Sequence, residues 1–539
     1  MTGSQAEKVS VVSVTAEARA PVRSRPAESA WLRAPTAKPS GSYVEAGVST
    51  PDPEGKGQGV TATVVLAALL SLVALVAFVA ILVRPETPYP AAAVSAVVYF
   101  VILLVVPAAR PVTPLPAPRN VCLAVWFLVM VALPAIINVV PPWAGTLPDI
   151  PPHRTINGAI LLNTIAYVAF FIGASCVRSR AGGGSSGTPI GRPIRQRRHR
   201  QRSLEGLITG FAAIGIIGVV ARVGTVGQAL AYFQGRIDVK QLENVTALRG
   251  LVAAIGPPFL SFAFVLLIER LRRSGSLTLS RIGLPLVGVI APLSLYSYNR
   301  TAVVVPVIAI FAAYGLLALR SRKALTILVL VGLFVFAYQV GNVRREILAT
   351  EGGRYSRAQV GLDEDPAASL LETIQVYGQS PQFPAFALES TPPQDYPGQL
   401  LISSALSPIP ALGGPYRDSN GTAMYNRAIY GTPDVNDQVL PLAVEAWWSL
   451  GPPGVLLIFG MFGALLEFVQ RRFWRATSFA GAYGSAVIGI WLALTPIVSM
   501  LVISQLFLYF ALPLLAFRLV QASRSSGRDS NPSAGGLSV

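Results

Sequence analysis

Apolar stretches of spanning length recur along the chain, at roughly 61–83, 91–109, 120–140, 156–177, 204–223, 250–269, 282–298, 301–319, 324–341, 454–470, 477–496 and 498–519. A hydrocarbon core about 30 Å thick is crossed by a helix of about 20 residues. Inside it, only helices and closed barrels satisfy their own backbone groups. The pattern therefore predicts an all-α polytopic membrane protein of about twelve transmembrane helices. The polar segments divide it. Residues 1–60, rich in Ser, Pro, Ala, Gly and charge, read as a disordered cytoplasmic tail rather than a cleavable signal. Residues 61–341 carry the first nine helices, 342–453 a large extracytoplasmic loop with short interfacial helices, 454–520 the last three spans, and 521–539 a second disordered tail.

Orientation follows from the alternation of basic loops, since Lys and Arg are retained on the cytoplasmic side. One set of loops carries Arg110 and Arg119, then eight arginines from Arg178 to Arg202, then Arg270, Arg272, Arg273 and Arg281. Arg320, Arg322 and Lys323 continue it, followed by Arg471, Arg472 and Arg475. This set and both termini are expected in the cytoplasm, and the protein in the cytoplasmic (inner) membrane. Segment 178–203 has no acidic residue and reads as a flexible linker against anionic headgroups. The outer set is 84–90, 141–155, 224–249, the turn at 299–300, and 342–453. A loop of over a hundred residues far exceeds ordinary connections, and long structured loops usually carry function. Two outer segments look amphipathic: Val226, Leu230, Phe233 and Ile237, with Arg236 off the stripe, and Leu370, Leu371, Ile374 and Tyr377.

Composition agrees with a membrane chain: 52% of residues are hydrophobic and 13% charged, with a mean hydropathy of +0.55; soluble domains carry about 25% charge. The net charge of +17 comes largely from these juxtamembrane arginines, so it does not call for nucleic acid. Cys122 and Cys176 both fall near expected cytoplasmic helix ends and make no disulfide framework. His153 and His199 are expected on opposite sides of the membrane, which removes a His-rich metal site. No phosphate-binding Gly loop, nucleophile elbow or zinc-spaced His pair occurs, and no metal or cofactor is expected. There is also no pair of Gly/Pro-broken spans at matching positions in two halves, which weakens a secondary-transporter reading.

Three places carry candidate chemistry. Eighteen residues separate Arg281 from Arg300, a rise of about 27 Å as a helix, so Arg300 in the turn SYNRT falls at or just below the outer interface. There it either snorkels to the headgroups or faces water or a counter-ion as a site residue. Arg344 and Arg345 follow the ninth span on the outer side, against the positive-inside preference, and a planar guanidinium suits bidentate binding of phosphate or diphosphate. An ion pair with Glu346 or Glu351 is the ordinary alternative. In 424–454, Asn436 or Asp437 can cap a short helix through Trp448 that ends at Gly451-Pro452-Pro453-Gly454. Glu445 could take a proton from a sugar hydroxyl, and Trp447 and Trp448 could stack on pyranose rings. An aromatic belt and an arginine partner for Glu445 are the plainer readings.

The stretch V-E-A-W-W-S-L-G-P-P-G-V-L-L-I-F-G-M-F-G at 444–463, with the Arg-Thr turn at 300–301 heading an apolar helix, resembles the Wzy-type O-antigen and oligosaccharide repeat-unit polymerases. Glu445, Trp447, Gly451 and Gly454 fill the family's acidic, aromatic and Gly-x-x-Gly places. The resemblance implies a helical, GT-C-like glycosyltransferase architecture and an inverting, metal-independent reaction serving cell-surface polysaccharide synthesis. A hydroxyl of one polyprenyl-diphosphate-linked oligosaccharide attacks the anomeric carbon of another, which leaves its diphosphate. On this reading Arg300, Arg344 and Arg345 stabilise the leaving diphosphate and Glu445 activates the acceptor. Arg236, Arg417, Arg427, Asp434, Asp437, Trp447 and Trp448 bind substrate. Lipid-linked donor and acceptor, the bilayer, a flippase and a chain-length regulator are the implied partners. The related O-antigen ligases usually feature a histidine in the large outer loop, and 342–453 has none. A flippase or exporter of the same lipids is the alternative without chemistry; it calls for charged residues lining a path inside the bundle, where the spans here are almost free of charge.

Overall fold

A computed structural model of the chain describes residues 89–105, 117–138, 149–179, 199–224, 247–274, 279–293, 300–317, 380–390, 394, 396–409, 412–431 and 440–529, all within the unit Glu54–Val539. Among the described residues every regular element is helical. In chain order these are α1 (Ala91–Val105), α2 (Pro118–Phe127, carried on by a π turn at Leu128–Ala132 into Leu133–Ile137), α3 (His153–Ser179), α4 (His199–Val223), α5 (Ala247–Arg273), α6 (Leu279–Leu293) and α7 (Arg300–Leu317). Three short helices follow, α8 (Gln382–Glu389), α9 (Gln399–Leu406) and α10 (Gly421–Tyr430), and then α11 (Leu442–Trp474), α12 (Phe479–Ala493) and α13 (Met500–Asp529). Six helices are long and apolar enough to cross a membrane: Pro118–Ile137, His153–Arg178, Leu204–Ala221, Arg249–Arg273, Leu442–Trp474 and Met500–Gln521. Shorter apolar helices occupy Ala91–Leu103, Arg281–Leu293, Ala302–Leu317 and Phe479–Ala493. The described residues thus form the helical bundle of a multi-pass membrane protein. The expected spans at 61–83 and 324–341 and both amphipathic segments lie outside the described residues.

Local chemistry explains how these helices pack. Pro134 has no N–H to offer the carbonyl of Met130, four residues back. That carbonyl instead accepts from Ser95 Oγ of α1 at 2.6 Å, beside the π turn. In an apolar medium such a freed carbonyl has to be satisfied from a neighbouring helix. Tyr99 Oη donates to the Leu123 carbonyl at 2.8 Å, tying α1 to α2 a second time. Tyr99, Trp126, Tyr167, Phe170 and Phe459 then form an aromatic cluster joining α1, α2, α3 and α11.

Glycines let two helix pairs approach closely, as small residues do where helices associate in lipid. A Cβ built on Gly173 of α3 would stand 1.9 Å from the Gly460 carbonyl oxygen of α11, and one on Gly463 would stand 1.8 Å from that of Phe170. Gly218 of α4 and Gly256 of α5 meet in the same way. α11 itself breaks at Gly451, whose φ of 65° and ψ of −155° are open to glycine at little cost. The Gly-Pro-Pro-Gly break is where the sequence predicts it. The helix before the break begins at Leu442 after Pro441, however, and not from a cap at Asn436 or Asp437. The fixed φ of Pro441 and the Leu442 N–H, which donates to the Val498 carbonyl at 3.1 Å, set that start.

The bundle has two chemically distinct ends. At one, Glu467 of α11 is buried and pairs with Arg178 of α3 at 3.1 Å and Arg471 at 3.5 Å. Glu269 of α5 is equally buried; it accepts from Arg273 Nε at 2.7 Å and, across to α12, from the Phe479 N–H. Arg272 adds a bond to the Thr477 carbonyl, Arg471 one to that of Val177, and Arg270 pairs with Glu205 of α4. The Arg119 N–H donates to Gln470 Oε1. The start of α2, the ends of α3, α5 and α11 and the starts of α4 and α12, which carry described members of the basic set, therefore meet at this one end. At the other end lie Asn138, bonded to Tyr89, and Thr155, whose hydroxyl donates to Glu389 of α8.

Replacing Gly463 by Val should force α3 and α11 apart and cost about 1–3 kcal/mol, read as a lowered Tm in detergent. Gly158→Ala, which fills open space, should leave Tm unchanged; equal effects of the two would contradict the packing.

Candidate functional site

Of the helices drawn from the large loop predicted to carry function, α9 and α10 converge on Glu445 and α8 on Trp448, one turn further along α11. The carboxylate is fully buried. Its Oε1 accepts from Ser404 Oγ of α9, and its Oε2 accepts from the Met500 N–H at 2.8 Å, the first N–H of α13. Ser404 Oγ in turn accepts from the Gly421 N–H at 2.9 Å, the first N–H of α10. Helix N-termini expose unpaired N–H groups and favour a negative neighbour, so one carboxylate serves two of them, directly and through a hydroxyl. Position 421 has room for nothing larger than glycine, since a Cβ there would lie 2.5 Å from Glu445 Oε1. Asn420 caps α10, its Oδ1 accepting from the Ala423 N–H at 2.9 Å while its amide donates to the Arg417 carbonyl.

Further bonds fasten the layer. Trp448 Nε1 donates to the Ala387 carbonyl of α8 at 2.9 Å, and the Trp448 carbonyl accepts from Gln394. The Gly398 N–H, at the left-handed turn before α9, donates to the Ser449 carbonyl at 2.9 Å. Tyr425 reaches the Phe383 carbonyl and Tyr509 that of Pro408.

Of the residues singled out from sequence, Glu445 and Trp448 are thus brought together with the loop helices. Trp447 is half-buried against the main core. Arg417, just before α10, and Arg427, in its last turn, are exposed in the segment that Glu445 and Ser404 hold. Arg300 is the first residue of α7, heading an apolar helix as the sequence predicts. Arg236, Arg344, Arg345, Asp434 and Asp437 lie outside the described residues. With both oxygens occupied and no exposed surface, Glu445 would meet an acceptor only if α9 or α10 moved aside.

Sequence reasoning passed over Ser404, Gly421 and Met500, which carry no local signature. It also passed over Glu269 and Glu467, though each stands four residues before an arginine, Arg273 and Arg471, the spacing that places a pair on one helix face. No protein-family profile, characterised protein or solved structure matches the chain.

Ser404→Ala removes a donor from Glu445 and an acceptor from Gly421, and should cost about 1–3 kcal/mol. Limited proteolysis between α8 and α10 should quicken while cleavage near Arg471 stays unchanged. Protection equal to wild type would show that Ser404 does not hold this layer.

Proposed function

We propose that the protein is a membrane glycosyltransferase that polymerises polyprenyl-diphosphate-linked oligosaccharide units at the outer face of the cytoplasmic membrane. The observation that carries this reading is a folded layer of short helices, seated on one end of an apolar bundle and presenting Arg417 and Arg427. It agrees with the resemblance of 444–463 to the repeat-unit polymerases, in which the Gly451 break acquires a physical reason, and with the separation of this layer from the basic end. The orientation is that of the positive-inside count.

In this reaction a hydroxyl of the acceptor attacks the anomeric carbon of the donor glycan with inversion. The bond from that carbon to the diphosphate oxygen breaks, and the hydroxyl proton passes to a base. Negative charge grows on the leaving diphosphate, and arginines fixed beside it lower that cost without a metal ion. Arg300, Arg344 and Arg345 are assigned this task, and Arg236, Arg417, Arg427, Asp434, Asp437 and Trp447 the glycan. Glu445, enclosed as it is, acts as a positioning residue that keeps α9 and α10 in register, and Trp448 does the same for α8. The second reading, a flippase or exporter of the same lipids, draws on the buried charges Glu269 and Glu467; each is already paired with arginine at one end of the bundle and forms no charged path across it among the described residues. A ligase-like transfer to a different acceptor shares the chemistry proposed.

Reconstituted protein given purified lipid-linked units should yield a ladder of longer glycans. Arg300→Ala and Arg344→Ala should each slow it by about 10²–10³-fold. Units that cross the bilayer without lengthening would replace this reading by transport. Glu445→Gln should raise KM for the acceptor while kcat stays within about tenfold; loss of a general base would instead lower kcat by about 10²–10⁴-fold.

A further inference from the structure

Where the N-terminus of α2 and the C-terminal parts of α3 and α11 meet, a cleft of about 40 Å³ opens beside the aromatic cluster. Its polar lining is Arg119, Tyr167, Arg178, Glu467 and Gln470, set among Leu123, Phe170, Phe171 and Ala174. Three donors in this lining have no hydrogen-bond partner among the described residues: the Tyr167 hydroxyl, Arg178 Nε and Gln470 Nε2. Tyr167 is 3% exposed and Gln470 4%. Buried donors are ordinarily satisfied, and leaving one unmade costs about 1–3 kcal/mol. All three belong to side chains that line this one cleft, which suits it to a ligand that serves as acceptor. Arg178 in the lining and Arg471 beside the cleft share one carboxylate, Glu467. The acceptor is therefore an anion.

The position narrows its chemistry. Arg119, Arg178 and Gln470 stand near the ends of their helices, at the level where headgroups meet the bundle, with Tyr167 deeper along α3, and Leu123 and Phe171 at the cleft are partly exposed, as surfaces for acyl chains. We infer that this cleft binds the phosphate of an anionic phospholipid, with Tyr167, Arg178 and Gln470 donating to its oxygens and Leu123 and Phe171 against its chains. The site lies at the end of the bundle opposite the α8–α10 layer and is independent of the reaction proposed there.

The full-length protein in neutral detergent, titrated with phosphatidylglycerol and followed by native mass spectrometry, tests this. One lipid should be retained, millimolar inorganic phosphate should not displace it, and a diacylglycerol with the same chains should not replace it. Tyr167→Phe removes a hydroxyl with no hydrogen-bond partner among the described residues, so Tm should be unchanged while lipid affinity falls about three- to tenfold. Gln470→Glu keeps the acceptor for the Arg119 N–H and puts a negative charge where Nε2 stood; it should weaken binding about tenfold or more. Retention unchanged in both variants would overturn the site. Displacement by phosphate would make it a site for free anion, and equal retention of diacylglycerol an apolar groove; either result overturns the lipid assignment.

Discussion

A carboxylate placed inside an apolar helical bundle loses the water that would solvate it, and must find donors on other segments of the chain. Three buried glutamates, Glu269, Glu445 and Glu467, meet that requirement here, each from a different helix or a different stretch of one. Glu269 binds its own helix to the start of α12, Glu467 binds α11 to α3, and Glu445 binds α11 to α9 and α13. The contacts are oriented because the donors are: guanidinium groups at one end, helix N-terminal N–H groups and a serine hydroxyl at the other. Breaking the ion pairs of Glu269 or Glu467 strands a charge, which costs about 3–5 kcal/mol, and removing a neutral donor from Glu445 costs about 1–3 kcal/mol, so these junctions hold their helices in place more firmly than apolar contact alone.

The spacing of the junctions matches the medium. Glu445 and Glu467 are 22 residues apart on α11, at most about 33 Å of helical rise because the Gly451 break lies between them, and the hydrocarbon core is about 30 Å thick. Thr155 and Arg178, which reach Glu389 and Glu467 from α3, are 23 residues apart. Between the ends, close contact rests on glycine pairs and on hydroxyls that answer carbonyls freed by proline. Among the described residues the buried carboxylates stand at the two ends, and the middle is left to packing and to the π turn of α2.

Much of this was legible in the sequence. Long apolar runs announce helices because little else is stable in lipid, and so α2, α3, α4, α5 and α13 fall where expected. The break at Gly451 was legible because Gly-Pro-Pro-Gly leaves a helix few alternatives. Gathering of the described arginine-bearing helix ends at one end of the bundle was legible from their alternation. The environment of Glu445 was not: Ser404, Gly421 and Met500 come from three separate places in the chain, and only folding makes them neighbours. Glu269 and Glu467 were hidden differently, by arginines whose number drew attention to loop charge rather than to the carboxylates they neutralise. Tyr167 and Gln470 look like core residues in the sequence, and only the cleft distinguishes them.

The account stands on the two ends facing opposite sides of the membrane, with the α8–α10 layer outside. Single cysteines at Asp418 and Thr477, in a Cys176→Ser background, labelled in intact cells with a membrane-impermeant maleimide, test this directly. Labelling of the first without permeabilisation, and of the second only after it, is the predicted result. Both cysteines reacting from one side, or the reverse order, would contradict it.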